Sequence, residues 1–381
     1  MLVLFDFSKA FDRVSHKILL DKLKQIGFSL EAINWFRSYL SQRQQAVMSK
    51  NGKCSKWNTV IGGVPQGSIF GPLFFLIYID DLRHHIKHSK HILYADDLQI
   101  YVQCGKEHMS ETIKNINSDI SSILDWSISN KLFLNLGKTQ AIAFGDVDVL
   151  EELYASNPIN INGTCIPLEH SVKNLGVILD SSLSWSEQIK KTCRNVNFAL
   201  YRLRYFRHLT DESLRTKLVS SLVLPHIDYC STAMGELNQG QNAIFQKLIN
   251  SGIRYIKGAR MRDSITPIRL QMGWLSAYNR RLLLALSLIY KTLKTKQPSY
   301  LREKIKNYDF PRILRPLNRE LAIPISKSGC YDRSIFVYAV RYWNTLPLHI
   351  RHSSNINIFQ TQIQNHLLNT EKFRYLIPSR I

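Results

Sequence analysis

Two adjacent carboxylates, Asp96 and Asp97, stand inside an otherwise apolar run from His91 to Val102, and they constrain the fold more than any other feature. In a continuous strand their side chains would point to opposite faces. One of them would then be buried, and an unpaired buried carboxylate is costly. The cost falls if the chain turns at the pair, leaving two short strands, and if the acids meet hard cations. A second apolar stretch, Leu2 to Phe5, ends in Asp6, which brings a third carboxylate within reach of the same sheet edge. Three close carboxylates repel one another unless divalent ions neutralise them, and oxygen donors suit Mg²⁺ or Mn²⁺. That is the electrostatic outline of a two-metal phosphoryl-transfer site. An isolated Asp-Asp pair more often caps a solvated turn, and Asp80-Asp81 is expected to do so at a helix end. What separates Asp96-Asp97 from such a pair is the sequence around it.

Five short motifs follow one another over roughly the first 185 residues. Phe5-Asp6-Phe7-Ser8-Lys9-Ala10-Phe11-Asp12 resembles the first catalytic motif of non-LTR retrotransposon reverse transcriptases. Gly63-Val64-Pro65-Gln66-Gly67-Ser68 with Gly71-Pro72-Leu73 resembles the second, and Tyr94-Ala95-Asp96-Asp97 the third. Leu134-Asn135-Leu136-Gly137-Lys138-Thr139 is similar to the fourth, and Asn174 to Asp180 to the primer-contacting fifth. Each is weak alone; five in order are specific. Tyr342-Trp343-Asn344-Thr345-Leu346-Pro347 is similar to the C-terminal region of jockey-like mobile elements.

The resemblance implies an RNA-directed DNA polymerase of α+β class. Residues 1–185 would form a palm, an antiparallel sheet with helices on one face, and 186–381 a thumb-like helical and basic C-terminal region. It implies that Asp6 and Asp96 hold two Mg²⁺ or Mn²⁺ ions, helped by the Phe7 carbonyl and by Asp97. Phe11 would lie under the sugar and select deoxynucleotides, although a core aromatic at a strand-to-helix turn explains it equally. Gln66 and Gly67 would meet the template base or the incoming nucleotide, in a loop where a Ser68 cap on the next helix is also compatible. Lys138 would protonate the leaving pyrophosphate or be an ordinary surface lysine. It does not belong to a phosphate-binding P-loop, because the first glycine at the required spacing is missing.

The implied partners are an RNA template, a DNA primer or target DNA, and deoxynucleoside triphosphates, with no membrane. An intracellular location, nucleus or cytoplasm, follows from that resemblance alone. Family members carry a fingers segment and an apurinic-type endonuclease before the first motif. The chain is therefore expected to be N-terminally truncated and its activity impaired. A second reading is a catalytically inactive remnant that binds nucleic acid through its basic half.

Charge supports a polyanionic partner under both readings. The net charge is +21, of which +18 falls in residues 151–381; a basic, soluble surface accounts for this as well. The run Tyr201-Arg202-Leu203-Arg204-Tyr205-Phe206-Arg207 interleaves aromatic and basic residues, which permits stacking on bases. An amphipathic helix that turns the same aromatics inward is the alternative. The six cysteines form no C-x-x-C pair, which fits free thiols and excludes a Cys-rich zinc knuckle. His84, His85, His88 and His91 lie on a polar, Lys-rich stretch that reads better as a solvated helix end than as a metal site. The apolar run Leu73–Ile79 is too short to span a bilayer.

Hydrophobic periodicity predicts helices near 15–26, 30–41, 107–130, 185–207, 211–223, 240–257, 276–293 and 355–369, and an apolar helix ending near Asp80. Hairpins are expected at 45–61, turning at Asn51-Gly52, and around Asp96-Asp97. Single strands are expected near 139–145, 159–167 and 173–179, and Pro-containing connectors at 298–324 and 347.

Overall fold

The computed structural model describes residues 1–156, 158–161, 163–308, 320–326 and 328–376. Part of the connector expected at 298–324 lies outside these. The chain divides into two units, Met1–Ser184 and Trp185–Ile381.

In the first unit, β1 (Leu2–Phe5) leads through a 3₁₀ turn, Ala10–Arg13, into α1 (His16–Ile26) and α2 (Leu30–Leu40). The hairpin of β2 (Gln44–Gln45) and β3 (Asn58–Thr59) turns at Gly52, as Asn51-Gly52 predicts, but its strands shrink to two residues each because their side chains are exposed. Then come α3 (Phe70–Ile79), β4 (Lys90–Tyr94), β5 (Asp97–Tyr101), α4 (Met109–Ser129) and β6 (Gln140–Ile142). Four strands form one sheet in the order β4-β5-β1-β6, all neighbours antiparallel. The alternation of β1 decides its faces. Val3 and Phe5 join Leu98, Ile100 and Ala141 in a core with Leu19 and Leu23 of α1, Phe74, Phe75 and Tyr78 of α3, and Ile116, Ile120 and Ile123 of α4.

The opposite face carries polar and apolar residues alternately, and one of them, Gln99, is buried. Its side-chain amide is satisfied by reciprocal 2.8 Å hydrogen bonds with the amide of Asn174. Asn174 belongs to a hairpin, β9 (Ser171–Asn174) and β10 (Val177–Asp180), where a single strand was expected at 173–179; Leu175 and Gly176 make a two-residue turn with φ of 44° and 84°. The strand expected at 159–167 is likewise a hairpin, β7 (Ile159–Ile161) and β8 (Thr164–Ile166), turning at Gly163 with φ of 80°. In both places a glycine free to take positive φ splits one apolar run into two strands. Helix α5 (Val147–Ser156), which precedes β7, was not expected at all.

Two polar anchors hold the helical layer. Asp119 of α4 is 1% exposed, and its carboxylate accepts hydrogen bonds from the backbone N–H groups of Lys87 (2.9 Å), His88 (3.1 Å) and Ser89 (2.7 Å), the residues leading into β4. The second corrects an expectation. Asp80 does end α3 at the surface, pairing with Arg83 at 3.0 Å. Asp81, however, is more than a solvated helix end: it accepts from Lys22 Nζ at 2.7 Å and Trp126 Nε1 at 3.2 Å. Burial pulls the Lys22 ammonium below its ordinary pKa, and Asp81 partly restores it.

The second unit is helical: α6 (Ser186–Tyr205), α7 (Glu212–Leu222), α8 (Leu224–Asp228), α9 (Gln239–Lys257), α10 (Ile265–Gln271), α11 (Ala277–Thr295), α12 (Ser299–Arg302), α13 (Gly329–Asp332), α14 (Ile335–Thr345), α15 (Leu348–Arg351) and α16 (Ile356–Leu376). The helices expected in this half fall close to where periodicity places them, but α14, eleven residues long, was not expected, and the four-to-seven-residue helices carry too few turns to show a period. Val196, Leu200, Val219, Phe245 and Ile249 centre one core of this unit; Leu286, Tyr338, Trp343 and Phe359 centre another. Arg280 bonds Asp228 with both Nε (2.6 Å) and Nη2 (2.5 Å), tying α11 to α8.

Candidate active site

Asp6 directly follows β1, and Phe5 pairs with Leu98 as the last ladder step; one step further sets Asp6 opposite Asp97. The β4–β5 connection is a two-residue turn, Ala95-Asp96, with Tyr94 paired to Asp97, so the chain turns at the acids. Ala95 holds φ of 52°, a left-handed conformation that alanine rarely adopts and that marks a constrained tip. Asp6 and Asp96 line one cleft of about 470 Å³. Asp97 stands at the start of β5, where burial, then the charge of Asp96, then that of Asp6 push its carboxyl above the usual carboxylate range. Asp97 thus responds to both other acids, and the donors of all three are oxygens, as hard divalent cations require. Among the described residues, however, no three His, Cys, Asp or Glu side chains stand in an arrangement ready to hold a metal ion; the histidines at 84–91 are included in that statement.

Residues of the first, second and fourth motifs close around the same cleft, whereas none of Asn174 to Asp180, the fifth, lines it. Residues 133–135 run beside Asp6–Ser8: Asn135 N–H donates to the Asp6 carbonyl (2.7 Å) and Ser8 N–H to the Phe133 carbonyl (2.8 Å). Phe7 and Leu134 pair between those two bonds, which leaves the Phe7 carbonyl outside them. The turn after Asn135 brings Lys138 into the cleft, with Nζ 3.7 Å from Asp6 Oδ2.

The glycine loop is fastened to the first motif by Gly63 N–H to the Val14 carbonyl (2.8 Å) and Val64 N–H to the Phe11 carbonyl (2.9 Å). Only glycine suits position 63: φ is 84°, and a Cβ would sit 2.8 Å from the Asp12 carbonyl oxygen. Gln66 follows into the cleft and donates from Nε2 to Asp12 Oδ1 at 3.1 Å. Gly67 takes φ of 81° with open space beside it. Ser68 Oγ donates to the Pro65 carbonyl (2.7 Å) and accepts from Gly71 N–H (2.9 Å), so it braces the turn before α3, whose N-cap position is Ile69 rather than the expected Ser68. Phe11 lines the cleft and also stacks on buried Phe75, centroids 4.2 Å apart at 19°, which braces its ring against α3.

The cleft also contains Ser8, Lys9, Asp12 and Asn135, none of which was singled out as a site residue. They sit inside or beside the recognised motifs, and that position is the only signal the sequence offered. In the second unit the aromatic run of α6 faces outward. Phe198, Tyr201 and Tyr205 are 63%, 73% and 76% exposed, whereas Ile189, Val196 and Leu200 are buried. Arg202 lies 5.9 Å from the Phe198 ring centre.

Residues 1–179 match the sequence profile of the reverse transcriptase (RNA-dependent DNA polymerase) family. The probable RNA-directed DNA polymerase from transposon BS of Drosophila melanogaster is 28% identical over 210 residues, 53% of this chain and 22% of that protein. The RNA-directed DNA polymerase from mobile element jockey of Drosophila funebris is 24% identical over 240 residues, 60% of this chain and 25% of that protein. The chain thus spans about a quarter of the length of these relatives. Telomerase from Candida albicans, solved with a fragment of telomeric RNA, covers 74% of this chain and 48% of its own at 13% identity and a TM-score of 0.31, too loose a likeness to assign a fold. Among the described residues no helix is long and apolar enough to cross a membrane. By the profile match and by the motifs that line one cleft, residues 1–179 are similar to the reverse transcriptase family, with relatives among Drosophila mobile elements.

Proposed function

We propose that the chain is the polymerase portion of a mobile-element reverse transcriptase, adding deoxynucleotides to a primer 3′-hydroxyl on an RNA template. The observation that carries this reading is the single cleft gathering Asp6, Asp96, Phe11, Gln66 and Lys138 from motifs far apart in sequence. In this reading residues 1–185 are the palm and 186–381 the thumb-like and basic region. Asp6 and Asp96 hold the divalent cations, with Asp97 and the Phe7 carbonyl assisting. Bound Mg²⁺ or Mn²⁺ supplies the Lewis acidity that activates the primer hydroxyl and neutralises the departing pyrophosphate.

The protein's own work is positioning and electrostatics. Phe11, braced by Phe75, forms a rigid floor for the sugar and excludes a 2′-hydroxyl. Gln66 and Gly67 present an amide and open backbone to the base pair. Lys138 stands beside Asp6 and is placed to give its proton to the pyrophosphate. Primer extension on an RNA template with Mg²⁺ and deoxynucleotides tests the reading. Activity should disappear in Asp6→Ala and Asp96→Ala; extension that survives both substitutions refutes the assignment.

A second reading, nucleic-acid binding without polymerisation, draws on the outward aromatics and arginines of α6. Stacking and phosphate contacts there would give affinity with a steep salt dependence. Full-length chain that binds RNA but extends no primer, and that loses RNA affinity in Tyr201→Ala with Tyr205→Ala but not in Asp96→Ala, selects this reading.

A further inference from the structure

We infer that Lys9 is a phosphate-binding residue of the cleft, gripping the triphosphate of the incoming nucleotide. The inference rests on the polymerase reading above and extends it to a residue that reading does not use. It begins from the charges of the cleft. Asp6, Asp12 and Asp96 line it together with two lysines, Lys9 and Lys138. A polyanionic tail entering beside those carboxylates needs cations from the protein as well as from metal. Lys138 already has a carboxylate neighbour, Asp6 at 3.7 Å, and Asp12 is engaged by Gln66. Among the described residues no carboxylate lies within ion-pairing distance of Lys9, which is exposed and lines the cleft.

Its backbone points the same way. Lys9 takes φ of 51° and ψ of 49°, left-handed values that a lysine adopts only under constraint, and its carbonyl is fixed by Asp12 N–H at 3.0 Å. Glycine would hold this turn with less strain. Lysine gives up that relief and supplies an ammonium, a compact point charge suited to phosphate oxygens, from an exposed residue that lines the cleft.

The test uses the full chain with Lys9→Ala, Lys9→Gly and Lys9→Arg, and exposed Lys106→Ala, outside the cleft, as control. In primer extension, Lys9→Ala should raise KM for deoxythymidine triphosphate about tenfold and change kcat by less than about threefold, whereas Lys9→Arg stays within about threefold of the parent. Lys9→Gly should melt at a higher temperature than the parent and still lose the same affinity. That combination a merely structural lysine cannot produce. Calorimetric titration with inorganic tripolyphosphate reads the site independently of polymerisation, and Lys9→Ala should weaken it about tenfold with Lys106→Ala unchanged. An unchanged KM in an active enzyme, a parent chain that does not bind tripolyphosphate, or unchanged tripolyphosphate affinity in Lys9→Ala overturns the inference. If the parent extends no primer but tripolyphosphate binding falls with Lys9, the polymerase reading fails and the phosphate site stands.

Discussion

Asp119→Ala should be among the most destabilising single substitutions in the first unit, although Asp119 lies outside the cleft. The carboxylate is 1% exposed and receives three backbone N–H groups, from Lys87, His88 and Ser89, at 2.7–3.1 Å. Hydrogen bonds to a charged acceptor contribute about 1.5–3 kcal/mol each when measured singly, but they are not additive. Exposure sets the discount. Lys87 and His88 are exposed, so water can replace much of what they lose, whereas Ser89 is buried and its amide would be left unsatisfied. One full loss and two partial ones give about 3 kcal/mol. For a unit of this size that corresponds to a fall of roughly 6–12 °C in melting temperature.

Urea unfolding followed by far-ultraviolet circular dichroism, with calorimetry alongside, measures it. Asp125→Ala is the control, an exposed acid on the same helix that should cost less than about 0.5 kcal/mol. A loss below about 1 kcal/mol for Asp119→Ala would show that water satisfies these amides and would refute the reasoning. The consequence reaches the cleft because Lys87–Ser89 lead into β4, whose other end carries the Ala95-Asp96 turn.

Three further outcomes follow from the same structure. If Asp6 and Asp96 hold Mg²⁺, adding it at about ten times its dissociation constant should stabilise the parent by about 1.4 kcal/mol, and Asp96→Asn should abolish that gain; calorimetry with and without chelator checks it, with Asp80→Asn as control. Breaking the Gln99–Asn174 amide pair should couple: Gln99→Ala and Asn174→Ala should each destabilise by about 1–2 kcal/mol, and the double variant by less than their sum, read by urea unfolding. Phe11→Val should admit ribonucleotides and raise the ratio of ribonucleotide to deoxynucleotide incorporation at least about tenfold in primer extension, because the smaller side chain leaves the space beside Phe75 unfilled.

The sheet and its long helices were legible in sequence because their signals are local. Alternation in β1, period 3.6 in α4 and α9, and a two-residue turn between apolar runs each need only a short window. Besides the unexpected helices α5 and α14, what escaped was decided by distant partners or by single glycines. Asn174 looks like an ordinary strand-end residue until Gln99 meets it from 75 positions away. Asp81 reads as a solvent-facing cap until the fold brings Lys22 and Trp126 to it. The strands at 159–167 and 173–179 became hairpins because glycines at 163 and 176 permit positive φ, which hydrophobicity does not register.

The cleft divides in the same way, by what a motif can and cannot specify. The spacing of the five motifs was enough to single out Asp6, Phe11, Gln66, Asp96 and Lys138, and the structure puts all five around one space. Spacing does not give the electrostatic relations within that space. That burial, and then its two acidic neighbours, raise the Asp97 carboxyl, that Lys138 faces Asp6, and that Asp12 is engaged by Gln66 depend on distances between segments. Those relations change the meaning of a residue the motif merely contains. Once Lys138 and Asp12 are accounted for, Lys9 is the cation of the cleft left without a carboxylate partner among the described residues, held there by a strained turn. The outward aromatics of α6 make the same point from the other side. The helix packs inward through Ile189, Val196 and Leu200, with Cys193, Ala199 and Leu203 against the same core, while Phe198, Tyr201 and Tyr205 stay exposed. Under the nucleic-acid-binding reading proposed above, these exposed rings beside arginines would stack on bases while the arginines meet phosphates.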